Sequence, residues 1–599
     1  MLRSIYQIGK RACEGKDCKS MLLDEAVKRY SDSIKNREEK DIAVVDFDLD
    51  RKLVKVEQKY RFSTGNARMY LFLGSRTRGS ALQNRLSAKK KDYLFGETIY
   101  VVKSELKEYS RKGLITDAMQ DLKDNVEAIY KTMFEGKGKK CFLKNGVRVE
   151  DFTDDKEVAF YTVRLTRNGS SLELAATEGY RDYMYYDMLN ALDSVRGLCF
   201  LCGRKGTVIA CPTFPSSTIL KIFVRDKGGF LSGVSKSDDA TRRTFSICPE
   251  CFSTLLLGNY YVTNRLKTFY AGKDVYILPA LVGEPVDFNQ FVQVKDTFTK
   301  TFRNIKEVED QVKNLGNIEM IQFTFVFGES VQARFHLAYM LKDVPATRIT
   351  MLLKTMGRVA KECGEILGEH VFLDFPCLDR IFPSSGSAKK DFFVFLESLL
   401  KGNFFPKKVV ARKSIMLAKA FRSRRLGEYG FREDESFSKT FIKYSLVIKI
   451  MNDMMISEGG KEVDESLLQE LDEDLRKWIS KIGLDEEEAS LFLHGYIVGM
   501  IGDQQGGEEI RKPILEKIGF EGMSTERLVK FSNEVFKSLK IYKLLEKGET
   551  SYSVAKILLQ KNLEHWSKSS DENIHHILSG YAFYNIVKDK RREGGESEQ

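Results

Sequence analysis

Two Cys-x-x-Cys pairs constrain this chain more than any other feature: Cys199 with Cys202, and Cys248 with Cys251. Each pair can bring two thiolates to one ion through a tight turn, and two pairs complete a closed tetrahedral shell. Gly203 follows the first pair and Pro249 stands inside the second, both residue types that knuckle turns favour. Residues 203–247 separate the halves. That gap is longer than a compact zinc ribbon uses, so strands and a loop must lie within it. The spacing predicts a structural zinc site. The alternatives are two unrelated buried pairs or a redox Cys-x-x-Cys, and no surrounding βαβ pattern supports the redox reading. A closed shell has no open position for substrate, so no catalysis is assigned to it. Cys211 reads as a spare thiol.

A chain of 599 residues has room for about four domains of ordinary size. Its 42% hydrophobic and 11% aromatic content can fill several cores, and only 10 prolines exclude Pro-rich stalks. Disordered, collagen-like and disulfide-scaffold classes are excluded with them. The longest apolar run, Ala489 to Ile501, is interrupted by His494 and is too short to span a bilayer. The opening MLRSIYQIGKRACEGKD has no apolar core and no cleavage site. A cytoplasmic location without membrane follows as the expectation, and there the ten cysteines read as thiols or ligands rather than disulfides.

The patterning predicts an α+β multidomain protein. Mixed α/β N-terminal and central regions, with the four-cysteine site embedded, precede a C-terminal α-helical bundle. The expected divisions are 1–190, a zinc segment at 191–270, a central α+β region at 271–430, and the bundle at 431–599. Ala43 to Leu49 and Leu53 to Val56 alternate as a hairpin, and Asn168-Gly169 marks a second one between Phe160–Leu165 and Leu172–Leu174. Met69 to Leu73 reads as a short buried strand, Asp117 to Met133 as a helix, and residues 317–328 as a strand. A helix is expected to start near Pro345.

From Ser436 onward the signals are helical only. Phe437, Phe441, Tyr444, Ile448 and Met451 recur at helical steps. Leu467, Leu471, Leu475, Trp478 and Ile482 do the same, ending at Gly483. Asp485 and Glu488 form a capping-box pattern. Gly495 and Gly499, one turn apart, allow close helix approach. Ser524 is the expected cap of a helix through Leu528, Phe531, Val535, Leu539 and Tyr542, and a last helix runs from about Asp571 to Val587. The acidic runs Glu462–Asp474 and Asp485–Glu488 read as solvated faces and first turns.

The net charge is +11, and two basic stretches carry no acid. Arg76, Arg78, Arg85, Lys89, Lys90 and Lys91 stand with Gly74, Gly79 and Asn84 in a loop-like segment suited to entering a groove or gripping phosphates. Asn84 or Arg85 is the expected base-edge reader. Lys407, Lys408, Arg412, Lys413, Lys419, Arg422, Arg424 and Arg425 form the second stretch. Lys408, Arg412, Lys419 and Arg422 fall near one helical face that can track a phosphate backbone. The plain alternative for both is a solvated surface.

Catalytic patterns are missing. Gly136-Lys137-Gly138-Lys139 is too short for a phosphate-binding loop, no nucleophile elbow is present, and the six histidines stand at no metal-motif spacing. Asp46, Asp48 and Asp50 alternate on a strand and can gather magnesium, but they suit the solvent face and turn of the first hairpin better. A binding protein is expected rather than an enzyme.

Several segments resemble the large subunit of the type I-B CRISPR Cascade effector. LCFLCG, FVRDKGGFLSG and FSICPECFSTLLLGNYYV follow that family's zinc segment, with Cys199, Cys202, Gly203, Asp226, Gly229, Phe230, Cys248, Cys251 and Gly258 at its marked positions. LFLHGYIVGMIGDQQ and GFEGMSTERLVKFSNEVFKSLKIY are similar to its C-terminal helices, and MLRSIYQIGK and VDFDLDRKLV to its opening.

The resemblance implies a non-catalytic subunit of an RNA-guided complex, in which guide RNA reads the target by base pairing. It implies recognition of a protospacer-adjacent motif in target double-stranded DNA, help with duplex opening and R-loop stabilisation, and docking of a helicase-nuclease in antiviral defence. Implied partners are guide RNA, the backbone and handle-binding subunits, and a small subunit that this family can translate from an internal start. Met451, Met454 and Met455, or Met416 upstream, are the candidate starts. Two readings compete: a metal-dependent nuclease using Asp46, Asp48 and Asp50, and a zinc-bearing interaction protein without nucleic acid.

Overall fold

A computed structural model describes residues 1–32, 34, 36–73, 85–210, 212, 214, 218–223, 245–281, 321–331, 334–382, 389–429, 431, 435–456 and 461–596. Gly74, Arg76, Arg78, Gly79, Asn84, Cys211, Asp226, Gly229, Phe230 and the first residues of the 317–328 strand lie outside them. The described residues group into two compact units, Met1–Leu266 with Ser330–His336, and Lys267–Glu329 with Leu337–Gln599.

The first unit starts with α1 (Leu2–Ala12) and α2 (Cys18–Ser31). Strands β1 (Asp41–Asp48), β2 (Leu53–Arg61) and β3 (Ser87–Ala88) follow. Then come α3 (Glu97–Arg111), α4 (Asp117–Met133), β4 (Arg148–Asp151), β5 (Val158–Arg167), β6 (Ser170–Glu173) and α5 (Glu178–Met188). Beyond them lie β7 (Ser194–Leu198), β8 (Lys205–Ile209) and α6 (Pro249–Arg265). The sheet runs β3-β5-β1-β2-β4, with β6 also on β5.

Both expected hairpins form. In the first, Val45 faces Val56 and Phe47 faces Val54 across antiparallel strands. In the second, Asn168 and Gly169 both take positive φ, 51° and 73°, the twist a two-residue hairpin turn needs. Central β1, paired on both edges, buries Ile42 to Val45 in succession and leaves Asp46 and Asp48 half-buried, so its alternating acids are not a solvent face throughout. Asp46 accepts from Thr166 Oγ1 at 2.8 Å. Asp48 accepts from the Arg51 amide and Asp50 from the Gly169 amide, holding the two turns.

Residues 69–73 correct the sequence reading. They are buried as expected, apart from Met69, but form no strand. Ser63 caps a short helix, Thr64–Met69, by accepting from the Asn66 amide, and Leu71 then turns with φ 43°. A second correction is the disulfide Cys13–Cys18. Cys13 ends α1 and Cys18 opens α2, so the short link between them brings two thiols together that composition alone assigns as free.

The second unit opens with β9 (Lys267–Tyr270), β10 (Lys273–Leu281), β11 (Ile321–Val331) and β12 (Arg334–Pro345), paired in sequence order, the ends of β11 and β12 within Ser330–His336 being counted with the first unit. Pro345 sits at the cap of α7 (Ala346–Leu367). The helices continue as α8 (Lys390–Lys401), α9 (Lys407–Ser423), α10 (Phe437–Met454), α11 (Glu473–Ile482) and α12 (Glu486–Gln505). Last come α13 (Thr525–Ile541), α14 (Leu545–Asn562) and α15 (Ser570–Glu596). One hydrophobic core joins sheet and helices, with Trp478, Tyr444 and Tyr581 fully buried. The protein is thus α+β with a helical C-terminal part.

The leucine series from Leu467 to Ile482 is broken rather than continuous. Asp472 accepts from the Asp474 amide and restarts the chain as α11. At Asp485 the capping box is complete, with both reciprocal bonds present. The expectation of solvated acids fails here, since Glu486, Glu487 and Glu488 are all buried. Each finds a partner. Lys561 and Asn562 hold Glu486, the Ser567 amide and hydroxyl hold Glu487, and Lys568 holds Glu488. Gly495 and Gly499 let α12 lie against α15. A Cβ at Gly495 would run into the Ile577 carbonyl oxygen, and one at Gly499 into the Tyr584 ring.

Candidate metal centre and basic surfaces

The turn after β7 builds the first half of the cysteine cluster. Cys199 donates its amide to the Arg204 carbonyl, Gly203 donates to the Cys199 carbonyl, and Gly203 takes φ 72°. Cys202 is thereby turned back beside Cys199. The second half is a helix start: Cys248 is the cap of α6, Pro249 fills its first position, and Cys251 lies in its first turn. Proline suits that position because its missing N–H has no helical partner there. Antiparallel bridging of Ile209 with Ile247 brings the halves together.

The four Sγ atoms lie within 4.8 Å of one another. Cys202 and Cys248 are 3.9 Å apart, near the roughly 3.8 Å between sulfurs on a tetrahedral ion with 2.3 Å bonds. Cys199 and Cys251 are buried, while Cys202 and Cys248 are half-buried. The Cys251 thiol hydrogen-bonds to Cys248 and lowers it to about 5, burial opposing; Cys251 rises in return. Burial raises Cys202, but hydrogen bonds from Arg204, whose Nε stands 3.5 Å from its sulfur, and from Cys199 and Cys251 together exceed it and lower the thiol. A soft, all-sulfur set of four cysteines can hold a metal ion and fits one that prefers sulfur. Among the described residues, no other group of three or more His, Cys, Asp or Glu side chains gathers for a metal, the Asp46, Asp48, Asp50 series included.

Two further groups touch the sulfurs, one from α1 and one at the end of the first knuckle, and sequence reasoning missed both. Tyr6 of α1 places its Oη 3.6 Å from Cys251 Sγ. Arg204, already beside Cys202, also pairs with Glu250 at 2.6 Å. Glycines make the first contact possible. A Cβ at Gly9 would collide with the Thr254 carbonyl oxygen, and one at Gly258 with that of Ile5, so α1 and α6 cross backbone to backbone.

The basic residues are dispersed. Arg85 is not presented to a groove. It is 5% exposed and donates to Asp187 at 3.0 Å, because the buried start of β3 draws it inward. This removes it as a base-edge reader. Lys89 and Lys90 are exposed. Lys91 pairs with Asp151 at 2.6 Å and Asp155 at 2.8 Å. In α9 the expected stripe is the outer one, opposite buried Val410, Ala411, Leu417 and Ala418, but most of it has protein partners. Arg412 pairs with Asp571, Lys419 with Glu521, and Arg422 lies over the Phe520 ring. Arg424, at φ 57°, pairs with Glu508. Lys408 and Arg425 are exposed.

Among the described residues no helix is long and apolar enough to cross a membrane. No curated protein matches the sequence. Residues 1–186 match the N-terminal domain of CRISPR-associated protein TM1802, residues 196–344 its central domain, and residues 373–594 its C-terminal domain. The three domains occur in order and cover nearly the whole chain, so the chain belongs to the CRISPR-associated TM1802 family.

Proposed function

We propose that this chain is the non-catalytic large subunit of a type I-B RNA-guided surveillance complex. The observation that carries the reading is the ordered match of all three domains of one CRISPR-associated family along a single chain. In the proposed role, the subunit recognises the protospacer-adjacent motif in duplex DNA, helps to open it, and stabilises the displaced strand while guide RNA pairs with the target. It works in the cytoplasm with guide RNA, the backbone and handle-binding subunits and a small subunit, and it offers a dock for the helicase-nuclease.

The metal assigned to Cys199, Cys202, Cys248 and Cys251 is zinc in a structural role. Four thiolates leave it no open position, so what it supplies is folding energy and a rigid knuckle. The motif reader is assigned to the segment carrying Arg76, Arg78 and Asn84, with exposed Lys89 and Lys90 at its end, and without Arg85. Lys408 in α9 and Arg425 just beyond its end are the groups assigned to phosphates. An internal start at Met451, Met454 or Met455 would yield a fragment holding α11 to α15, including the α12–α15 glycine crossing. It would lack most of α10.

The test is copurification. The tagged chain is expressed with its neighbouring genes, and the bound RNA is sequenced. The expected result is a discrete set of short RNAs sharing one repeat-derived end, in complex with several other subunits. A chain that emerges alone and free of RNA overturns the reading.

A further inference from the structure

The β7–β8 ribbon and its knuckle carry an outer surface that the metal does not explain. Leu198 at the end of β7 is 53% exposed and Phe200 in the turn that carries Cys199 and Cys202 is 57% exposed. Single exposed apolar residues are ordinary, but adjacent ones mark a contact surface. Phe200 meets Phe245 edge-on at 5.7 Å, which steadies the ring and leaves over half of it open.

The ribbon and its turn carry charge of one sign. No Asp or Glu occurs from Ser194 to Ile209, while Arg196, Arg204 and Lys205 do. Leu198 stands opposite Lys205 and Arg196 opposite Thr207, so Arg196, Leu198 and Lys205 share one face of the two-stranded ribbon. Arg204 is committed to Glu250 and Cys202. Arg196 and Lys205 are exposed and have no ion-pair partner among the described residues.

An open aromatic ring two residues beyond a ribbon face that carries two exposed cations suits a base and its phosphates. The ring offers a π-face to any base, and the cations neutralise the strand on either side. An apolar protein partner would be served by Leu198 and Phe200 but would leave Arg196 and Lys205 to desolvate unpaired, at a cost. Duplex is a poor fit because its bases are already stacked.

We propose that this knuckle surface is a contact for single-stranded nucleic acid, with one unpaired base stacked on Phe200 and flanking phosphates on Arg196 and Lys205. The site deepens the nucleic-acid reading of the chain and rests on it.

The experiment uses the full chain with a labelled oligouridine and a labelled oligothymidine, each also prepared with one 5-iodo base for photocross-linking. The expected cross-link falls on the peptide containing Phe200. Phe200→Ala is expected to weaken binding roughly tenfold, one base–aromatic stack, and Phe200→Tyr to restore it. Arg196→Gln with Lys205→Gln is expected to flatten the salt slope by about 1.4, two single-strand charges. All variants keep the wild-type metal content, because none alters a cysteine. A stronger effect with uridine or with thymidine tells whether the source is RNA or displaced DNA. If the wild type binds but cross-links elsewhere and the variants bind equally, this site is wrong and the general reading stands. Loss of a copurifying subunit in the variants, with no cross-link, makes the surface a protein interface and overturns the proposal. If neither the chain nor its assembled complex binds nucleic acid, both this site and the functional reading fail.

Discussion

Cys251 Sγ lies 3.6 Å from Tyr6 Oη, across 245 residues of sequence. The phenol can donate to the sulfur once a metal holds it as thiolate, so the first helix of the chain is tied to the metal centre. Hydrogen bonds of this outer kind typically tune metal affinity by roughly 10–100-fold. Tyr6→Phe is expected to weaken zinc by about that range in competition with a chromophoric chelator. Removing the metal from the wild type is expected to speed amide exchange in Leu2–Ala12 and at the start of α6. Equal affinity and unchanged exchange would show the contact to be incidental.

Arg85 and Asp187 form a buried pair, at 6% and 4% side-chain exposure. Breaking such a pair from one side leaves an uncompensated buried charge and costs about 3–5 kcal/mol. Arg85→Met is therefore expected to lower stability in urea melts by that amount. Adding Asp187→Leu is expected to recover much of it. If Arg85 instead touched DNA, Arg85→Met would weaken duplex binding at unchanged stability.

The α12–α15 crossing depends on a missing side chain. Gly495→Ala puts a methyl group against the Ile577 carbonyl, and overpacking of this kind costs about 1–3 kcal/mol. Gly357→Ala, inside α7 where no atom lies near an added Cβ, is the matched helical control and is expected to cost nothing. A Gly495→Ala melt no different from that of the control contradicts the close approach.

Acid should loosen the second unit. Burial lowers His494 to about 4 from its ordinary 6.5, with its ring nitrogens near the Ser490 carbonyl at 2.7 Å and Ser532 Oγ at 2.9 Å. Above pH 6.5 this group is neutral folded and unfolded and contributes nothing to the pH dependence. As pH falls through 6.5 the unfolded chain takes the proton first, so stability declines until about pH 4, by about 3 kcal/mol in all. Burial also lowers His575 and His576, in the same direction. Urea midpoints between pH 7.5 and 5 should fall, and His494→Gln should make the fall shallower. A midpoint independent of pH over that range contradicts the burial of neutral histidine.

Local signals carried well from sequence to structure. Asn168-Gly169, the Asp485–Glu488 box, Pro345 before α7 and the Gly495–Gly499 step each encode one backbone event, and each forms. Signals that depend on distant partners did not. Glu486 to Glu488 read as solvated because nothing nearby reveals Lys561, Ser567 and Lys568. Arg85 read as a free cation because Asp187 lies about a hundred residues on. The Met69–Leu73 run read as a strand because apolarity reports burial, not conformation. For the cysteine cluster, the four members were legible from spacing. Tyr6 was not, since a lone tyrosine in an N-terminal helix carries no such mark; the Gly9 and Gly258 pair that admits it was the available hint.

The central claim is that this subunit reads the flank of a target duplex within an RNA-guided complex. The most direct measurement compares the whole assembly with one lacking only this chain. Each is titrated with duplexes that share one guide-matched target and differ in the flanking bases. The account predicts that the whole assembly discriminates among flanks and that discrimination disappears without this chain, while pairing to an already opened target persists. Equal discrimination by the assembly lacking this chain would contradict it.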